Sequence, residues 1–592
     1  MANSIESQKL FDSDKERLED AKEEFRYDWD SDKPWRSKRK EWLDFYHGRQ
    51  WSTEEIEELK RRGQPAVVRN RIKPKVDAMV GIELALKVNT KALDRGSDDE
   101  MMSRVISEAL RLIEDRTDFD TVEAKAFSDM LKTGRGWYQT AMDWVDFEAF
   151  TTTERLSTAD VVPDRNGRKD DMGDWKRVHH TFFMDVEDAV EIWPDSEEGI
   201  RSSVKEDIVS DTEKSEPHRN IIGDQYNNPN SRTSFLDPHK KLQRVRIVRT
   251  WYRTYDVKKF LTHPDIGTEE ITEESEGDIK NFKKAFQGAQ IWIDRRPKMN
   301  YITFCDNAIL EDEKDVRSYD KNGKFPITLL PGWWDEENNY HIGIIEQLLD
   351  PQREVNKRGS KMLHLLNTNQ VELEDGAVDD LNQLRFELSR PDGVIVRKKG
   401  RGLNVIRNLD IAQSQFQLLQ EAKGEIDAAG AASELVGASQ ATSGRDFQLR
   451  QQAAIQPIRE LFLNARGSRQ RVGKLWLDDI QQFWSGPRLI KLTDDPKAGA
   501  IELNKRIMDP ITGQIIVLND VSLGNYDIKI DESPDTTHLR SENFDQLIRL
   551  AELGVPIPPD MIVEASDLPD KQKYLERMQQ SQPQQQLLPA GQ

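Results

Sequence analysis

Residues 343–360 read GIIEQLLDPQREVNKRGS, and this stretch decides how the rest of the chain is interpreted. Its spacing predicts one helix over 343–369, which Asp350 can cap and in whose first turn Pro351 fits. Small or apolar residues recur along one narrow seam of this helix: Val355, Gly359, Met362 and Leu366. Because charged side chains flank the seam, the helix is suited to packing side by side with other helices.

Helical patterns also occupy the N-terminal part of the chain. Residues 1–62 are predicted to be charged helix, and Ser52-Thr-Glu-Glu55 within them is a capping box. Over 100–133 the apolar residues follow the three-four spacing of two amphipathic helices. Gly134 is expected to end the second of these helices.

The middle of the chain has a different pattern. From 146 to 330, β-branched and aromatic runs predict strands, chiefly over 242–255 and 289–304. Residues 195–240 are polar and predict a long surface excursion. The fold class is therefore α+β, with helical units separated by a β-rich excursion.

A basic turn is predicted downstream of the central helix. Strands over 393–396 and 403–406 would flank a hairpin tip whose four cations could touch phosphates: Arg397, Lys398, Lys399 and Arg401. A solvated turn explains these residues equally well, because the chain has 86 Lys and Arg residues. Residues 411–484 are predicted to be rich in helix and broken by a loop over 438–444.

Composition sets the broad class of protein. A chain of 592 residues is too long for one core and corresponds to roughly four structural units. Its 14 Trp and 21 Phe are too many for a disordered chain. The net charge of −21 argues against a protein that clings to DNA over its whole surface.

The sequence predicts neither secretion nor insertion into a membrane. The first residues lack a basic region followed by an apolar one. No stretch approaches the ~18 apolar residues of a membrane span. The single cysteine, Cys305, lies in an apolar run and is predicted to be a buried structural thiol. Assembly in a reducing cytoplasm fits these features.

Two fragments resemble enzyme motifs without meeting their requirements. The segment 467–474 has five residues between its glycines where a phosphate-binding P-loop has four, and Leu475 stands where that loop needs Ser or Thr. His179 and His180 are adjacent on a predicted strand, so they point to opposite faces and cannot easily bind one metal. We therefore predict no catalytic residues, no metal site and no cofactor.

Three blocks of sequence, taken in order, resemble one protein family. The first is WLDFYHGRQW at 42–51 with NRIKP at 70–74, and the second is the helix at 343–360. The third is SGRDFQLRQ at 443–451. Together these blocks resemble the portal proteins of tailed bacteriophages of the podovirus type, and their order along the chain agrees with that family.

The resemblance implies a portal fold assembled as a ring, usually of twelve subunits, at one capsid vertex. Such a subunit has an outer wing, stem helices around a channel, a clip and a crown. On that template the chain divides into wing helices and a strand (1–120), a first stem helix (121–136), a clip region (137–185), a β-rich wing portion (186–342), a second stem helix (343–369), a wing portion with a tunnel loop near 436–446 (370–535), and a short crown with a Gln/Pro-rich tail (536–592).

The segment that matches the tunnel loop is small and polar, with glycines near both ends. Its candidate contacts to DNA are Ser439, Gln440, Thr442, Ser443 and Arg445. Short neutral side chains would touch a duplex lightly, whereas a fixed cluster of cations would grip it. Contact of this kind would be independent of base sequence. An ordinary surface loop is the alternative interpretation.

The resemblance also implies a location and partners. The location is the virion, at the portal vertex of a capsid assembled in the host cytoplasm. The partners are other copies of the chain, double-stranded DNA, the large subunit of terminase, the major capsid and scaffolding proteins, and tail adaptor proteins, with no membrane.

Two other classes of protein stay open from the sequence alone. A different head–tail adaptor of the virion is one, although adaptors are generally much smaller. A DNA-processing enzyme is the other, and it would require carboxylates clustered with metal-binding geometry.

Overall fold

The computed structural model describes the chain in segments. They are 2–85, 88–94, 100–145, 148–203, 244–263, 267–271, 290–314, 316, 323–367, 370–388, 393–406, 409–428, 456–491, 500–508, 515–521, 526–532, 544, 547–554 and 557–565.

Three helices begin the chain: α1 (Ala2–Tyr46), α2 (Thr53–Arg61) and α3 (Ile72–Ala85). The helical region expected over 1–62 is thus two helices, separated at Gly48, whose φ of 84° is a conformation that favours glycine. The capping box is confirmed. The Glu55 amide donates to the Ser52 hydroxyl and the Ser52 amide donates to the Glu55 carboxylate, each at 3.1 Å.

Two further helices, α4 (Glu100–Thr117) and α5 (Phe119–Thr133), confirm the prediction for 100–133. Gly134 ends α5 in the left-handed conformation, as expected. The remaining helices are α6 (Val186–Ile192), α7 (Glu197–Ser203), α8 (Ile344–Asn367), α9 (Leu381–Leu388), α10 (Leu409–Ala428), α11 (Arg459–Phe483) and α12 (Pro559–Ala565). The apolar faces of α3, α4, α5, α8 and α11 share the largest hydrophobic core.

The strands confirm the β-rich middle of the chain. They are β1 (Val88–Asp94), β2 (Arg135–Val145), β3 (Glu148–Leu156), β4 (Val161–Pro163), β5 (Arg177–Asp185), β6 (Arg244–His263), β7 (Gly267–Ile271), β8 (Gln290–Phe304), β9 (Ile309–Glu313), β10 (Ile327–Pro331), β11 (Trp333–Asp335), β12 (Tyr340–Ile342), β13 (Gln370–Leu373), β14 (Leu403–Ile406), β15 (Arg488–Lys491), β16 (Ala500–Leu503), β17 (Lys505–Met508), β18 (Ile515–Leu518) and β19 (Tyr526–Glu532).

One sheet of six strands dominates. Its order is β4-β5-β6-β8-β9, with β7 paired to β6. β6 and β8 are the strands predicted over 242–255 and 289–304, and they pair antiparallel along most of their length. Most of the polar excursion predicted over 195–240 lies outside the described residues, which stop at Ser203 and resume at Arg244, where β6 begins.

Helix α1 joins this sheet to the helical core. Its first half packs Phe25 and Trp29 against sheet residues such as Val248 and Phe304. Its second half places Trp35 and Trp42 in the large helical core. One long helix thereby fixes the β-rich and helical parts of the chain against each other.

Two long-range features complete the frame. β1 pairs antiparallel with β19, so a strand near the end of the described chain returns to one near its beginning. Cys305 is fully buried, as predicted, and accepts a 3.4 Å hydrogen bond from the Ser203 hydroxyl.

Candidate functional site

The candidate site is α8, because it brings two of the three sequence blocks into contact. Three of its side chains, spaced four residues apart, accept hydrogen bonds from backbone amides spaced two residues apart in the extended segment 67–71. Arg71 N–H donates to Gln352 Oε1 at 3.0 Å, Arg69 N–H to Asn356 Oδ1 at 3.0 Å, and Val67 N–H to Ser360 Oγ at 3.1 Å. We refer to these three α8 side chains and segment 67–71 as the ladder.

The ladder follows from matching repeats. Four residues of α-helix rise about 6 Å, and two residues of extended chain span about 6.6 Å. A helix side chain at every fourth position therefore meets every second amide of an adjacent extended segment. Gln352, Asn356 and Ser360 are all buried, so each hydrogen bond satisfies a polar side chain that lies away from solvent.

The first sequence block also contributes side chains to this junction. The Asn356 amide donates to Gln50 Oε1 at 2.6 Å, and Gln50 in turn donates to the Phe45 carbonyl at 2.7 Å. Asn70 donates to the Tyr46 carbonyl at 2.8 Å. The residues that carry the family resemblance in blocks one and two therefore hold each other in place.

The first turn of α8 is packed tightly against α5. Ile344, Ile345 and Leu348 are fully buried in the helical core. A Cβ atom at Gly343 would lie 2.3 Å from the Leu131 carbonyl oxygen, so only glycine allows this approach.

The helix predicted over 343–369 is confirmed, because α8 spans Ile344–Asn367, but the capping role predicted for Asp350 was wrong. The helix begins at Ile344, so Pro351 lies inside it and Asp350 does not cap it. The exposed Asp350 instead pairs with Arg353 at 2.8 Å. A proline in a helix interior removes one backbone hydrogen bond, but the turn that precedes Pro351 buries several apolar side chains in the core, which outweighs this local cost.

The predicted seam of α8 is divided between core and surface. Val355 is fully buried by its own chain, and Gly359 is buried beside the Arg69 side chain. Met362 is partly buried against the same core, whereas Leu366 is 54% exposed. Only Met362 and Leu366 retain side-chain surface for a neighbouring subunit, and packing between subunits stays a prediction.

Cations gather where the ladder meets α10. Arg69 and Arg71 are exposed. Burial, and then the charges of Arg71 and Arg69, lower the pKa of Lys423 on α10 from its usual value. Burial also lowers the pKa of Lys75 to about 8, and its ammonium group donates to the Asp427 carbonyl at 3.2 Å. This group of positive charge lies near the end of α10.

The predicted tunnel loop cannot be placed against this group. Residues 429–455 lie outside the described residues, and they include every candidate DNA contact of the loop: Ser439, Gln440, Thr442, Ser443 and Arg445. In sequence, the loop begins eight residues after the end of α10. Its position relative to a channel stays a prediction.

The basic turn exists, but the hairpin predicted around it was wrong. β14 pairs with β13, and 393–396 is not a strand. The prediction paired β14 with the nearby segment 393–396. In the structure β14 pairs with β13, which lies about 30 residues before it in the chain. Arg397 and Lys399 are exposed, Lys398 forms an ion pair with Asp379, and Arg401 donates to the Asp375 carbonyl. Contact with phosphate stays untested for all four cations.

Within the described segments, no group of three or more His, Cys, Asp or Glu side chains can hold a metal ion. The P-loop-like segment 467–474 lies inside α11. His179 is buried, where its ring nitrogens contact Asp28 at 3.1 Å and Thr250 at 2.7 Å. No helix in the described segments is long and apolar enough to cross a bilayer.

One buried cluster of charge, which we call the Arg469 cluster, has no signature in the sequence. Arg469 on α11 forms ion pairs with Glu114 at 3.0 Å, with Asp120 at 3.3 Å and with Glu123. Burial raises the pKa of both Glu114 and Glu123, although Arg469 opposes the shift. Glu83 on α3 adjoins the cluster, and burial together with the charge of Glu123 raises its pKa to about 8.

One known protein family matches nearly the whole chain. A sequence model of the family described as phage P22-like portal protein matches residues 22–592. The chain is also similar to a protein named portal protein from Acyrthosiphon pisum secondary endosymbiont phage 1, at 29% identity over 101 residues. That alignment covers 16% of this chain and 14% of the relative's length.

Proposed function

Because the chain belongs to the phage P22-like portal protein family, we propose that it is the ring-forming subunit of the channel at one capsid vertex. DNA would pass through this channel during packaging and again during ejection. The observation that carries the proposal is the family match over residues 22–592. The ladder supports it, because it unites in space two blocks that lie far apart in sequence.

The ring would close by a head-to-tail interface between identical subunits, and we propose twelve of them. Leu366 and the exposed part of Met362 supply apolar surface at the end of α8 for such an interface. Val355 and Gly359 would act from within the subunit, by fixing the position of α8 against its own core.

DNA contact is proposed for the loop near 436–446. It follows α10 in sequence, and α10 is anchored by the hydrogen bond from Lys75 of α3 to the Asp427 carbonyl, just after the ladder in the chain. Ser439, Gln440, Thr442 and Ser443 would form a light, sequence-independent contact, and Arg445 would add one charge. Arg397 and Lys399 of the basic turn are exposed enough to reach phosphates as well.

The other partners follow from the same proposal. The terminase large subunit would dock on the ring and supply the energy of packaging, and tail adaptor proteins would replace it later. The major capsid and scaffolding proteins would surround the ring in the virion, after assembly in the host cytoplasm. We assign no catalytic reaction and no cofactor to this chain.

A packaging assay tests the channel proposal. Capsids assembled with the chain and its terminase should protect DNA from nuclease, and capsids assembled without the chain should not. Bulky replacements at Ser439, Gln440 and Thr442 should leave assembly intact and reduce the DNA packaged or retained. Asn382→Trp, at an exposed position on α9, is the matched control.

Two outcomes would contradict the proposal. Normal filling and retention with the bulky loop would place that loop away from the path of DNA. Equal DNA protection without the chain would favour a different structural role, such as that of a head–tail adaptor.

A further inference from the structure

A cavity of about 300 Å³ lies where α11 faces the six-stranded sheet and β10. Four cationic side chains line it: Arg253, Lys324, Arg471 and Lys474. Asp171 is the one carboxylate in its lining. We call this cavity the cationic pocket, and its charge is unusual in a chain whose net charge is −21.

Few of these cations are neutralised by the surrounding protein. Lys324 forms an ion pair with Asp478 at 2.6 Å. Arg253 donates instead to neutral carbonyl groups, among them those of Gly323 at 2.9 Å and Trp175 at 3.0 Å. These bonds hold its guanidinium at the pocket, and no carboxylate of the described segments forms an ion pair with it.

Arg471 carries an unused hydrogen-bond donor. One terminal nitrogen donates to the Leu329 carbonyl at 2.9 Å and to the Ser468 hydroxyl at 2.8 Å. Its Nε atom is buried and has no hydrogen-bond partner within the described segments. Burial lowers the pKa of Arg471, and the charges of Asp170 and Asp171 oppose this shift. A guanidinium that is desolvated in this way is stabilised by an anion.

Lys474 lies three residues after Arg471 on α11, so both side chains project from one face of the helix. In the part of the chain that the structure describes, Lys474 has neither an ion pair nor a hydrogen bond. The two nearby carboxylates are already engaged: Asp170 contacts His341 at 2.9 Å, and Asp171 accepts from the Gly173 amide at 2.8 Å.

The walls of the pocket are apolar, with buried residues such as Phe325 and Leu475. A cavity of this volume with apolar walls and a few fixed polar groups is typical of small-ligand sites. We propose that the cationic pocket binds a small phosphate-bearing molecule, with its anionic group between Arg471 and Lys474. The bound anion would link α11 to the sheet through Arg253.

This site differs from the P-loop that segment 467–474 resembles. That segment lies inside α11, so its backbone amides are engaged in helical hydrogen bonds and cannot cradle a phosphate. The proposed contacts come from side chains on α11 and β6 and from Lys324, three residues before β10. The proposal does not depend on ring formation, because all of its contacts lie within one chain.

The test is calorimetric titration of the full-length chain with inorganic pyrophosphate, at constant ionic strength in chloride. One saturable site per chain is expected. Lys474→Gln and Arg471→Gln should each weaken binding at least about tenfold, the effect of losing one charge-assisted hydrogen bond. Arg459→Gln is the matched control, since Arg459 is exposed on the same helix about 22 Å away.

Three outcomes would overturn the proposal. The first is the absence of saturable binding, and the second is binding that Lys474→Gln leaves unchanged. If Arg471→Gln fails to fold, Lys474→Gln decides this point, because that substitution removes no hydrogen bond and no ion pair within the described chain. The third is binding of a 20-base-pair DNA duplex that Lys474→Gln weakens, together with no binding of pyrophosphate. That result would make the pocket a contact for the DNA backbone.

Discussion

The ladder and the Arg469 cluster are both polar junctions in the interior, but they are built differently. The ladder uses neutral side chains, Gln352, Asn356 and Ser360, each matched to one backbone amide. The Arg469 cluster holds one cation among several carboxylates, Glu114 and Glu123 being buried. The first junction joins one helix to one extended segment, and the second joins several helices at once.

The difference shows what each junction can tolerate. A neutral ladder is insensitive to pH, and each of its hydrogen bonds can be lost singly. A buried charge cluster is stable only while cation and carboxylates are all present, because an unpaired buried charge is costly. The Arg469 cluster should therefore respond more strongly than the ladder both to substitution and to pH.

The largest effect is expected from Arg469→Met. This change leaves Glu114 and Glu123 buried without their cation, and it should lower the free energy of unfolding by ~3–5 kcal/mol. Urea unfolding followed by circular dichroism measures the change. Arg459→Met, at an exposed position of the same helix, should have little effect. If both variants lost the same free energy of unfolding, the buried ion pairs of Arg469 would contribute no more to stability than an exposed arginine does.

A smaller effect is expected from Asn356→Ala in the ladder. The substitution removes the acceptor of the Arg69 amide and the donor to Gln50 Oε1, which should lower the free energy of unfolding by about 1–3 kcal/mol. The same unfolding measurement applies, with Lys361→Ala on the exposed face of α8 as the control. If Asn356→Ala lowered the free energy of unfolding as much as Arg469→Met does, the ladder would be as sensitive to substitution as the Arg469 cluster.

The pH dependence of stability separates the junctions further. Folding raises the pKa of Glu83 from its ordinary value of 4.5 to about 8, through burial and the charge of Glu123, while Arg469 opposes the shift and Asp120 adds to it. The folded chain therefore holds this proton more tightly than the unfolded chain, and stability falls as the pH rises from 4.5 towards 8.

Glu83→Gln should flatten this part of the pH profile, whereas Gln352→Glu in the ladder should make it steeper. Thermal unfolding across this pH range measures both slopes. An unchanged slope in Glu83→Gln would show that Glu83 does not carry the proton.

The smallest effect on stability is expected from Leu366→Ser. The side chain is 54% exposed, so the free energy of unfolding should change by no more than ~0.5 kcal/mol. If this end of α8 packs against a neighbouring subunit, assembly should nevertheless weaken, and sedimentation measures that. Unchanged assembly would remove Leu366 from the interface.

The sequence predicted the ladder's helix better than it predicted the cluster. α8 was visible because its apolar spacing is local, and the blocks that it joins were recognised in order. Its bounds agree with the prediction, but Asp350 does not cap it, because the turn that precedes Asp350 and Pro351 is helical and buries its apolar side chains in the core. The strand over 393–396 was wrong for a related reason, since β14 pairs with a segment about 30 residues away.

The Arg469 cluster and the cationic pocket could not be predicted from the sequence. Arg469 and Glu123 are 346 residues apart, and Arg471 and Arg253 come from a helix and a strand with no shared pattern. Long-range packing alone brings such groups together. The fold class depends on local periodicity and was therefore accessible, whereas these sites were not.

Electron microscopy of the purified full-length chain tests the central claim most directly. The account predicts closed rings in end-on views, each with an open central channel, and twelve subunits as the expected number. Closed rings of another number would change only the stoichiometry. A chain that stays monomeric at every concentration, and forms no rings when expressed together with its capsid proteins, would contradict the account.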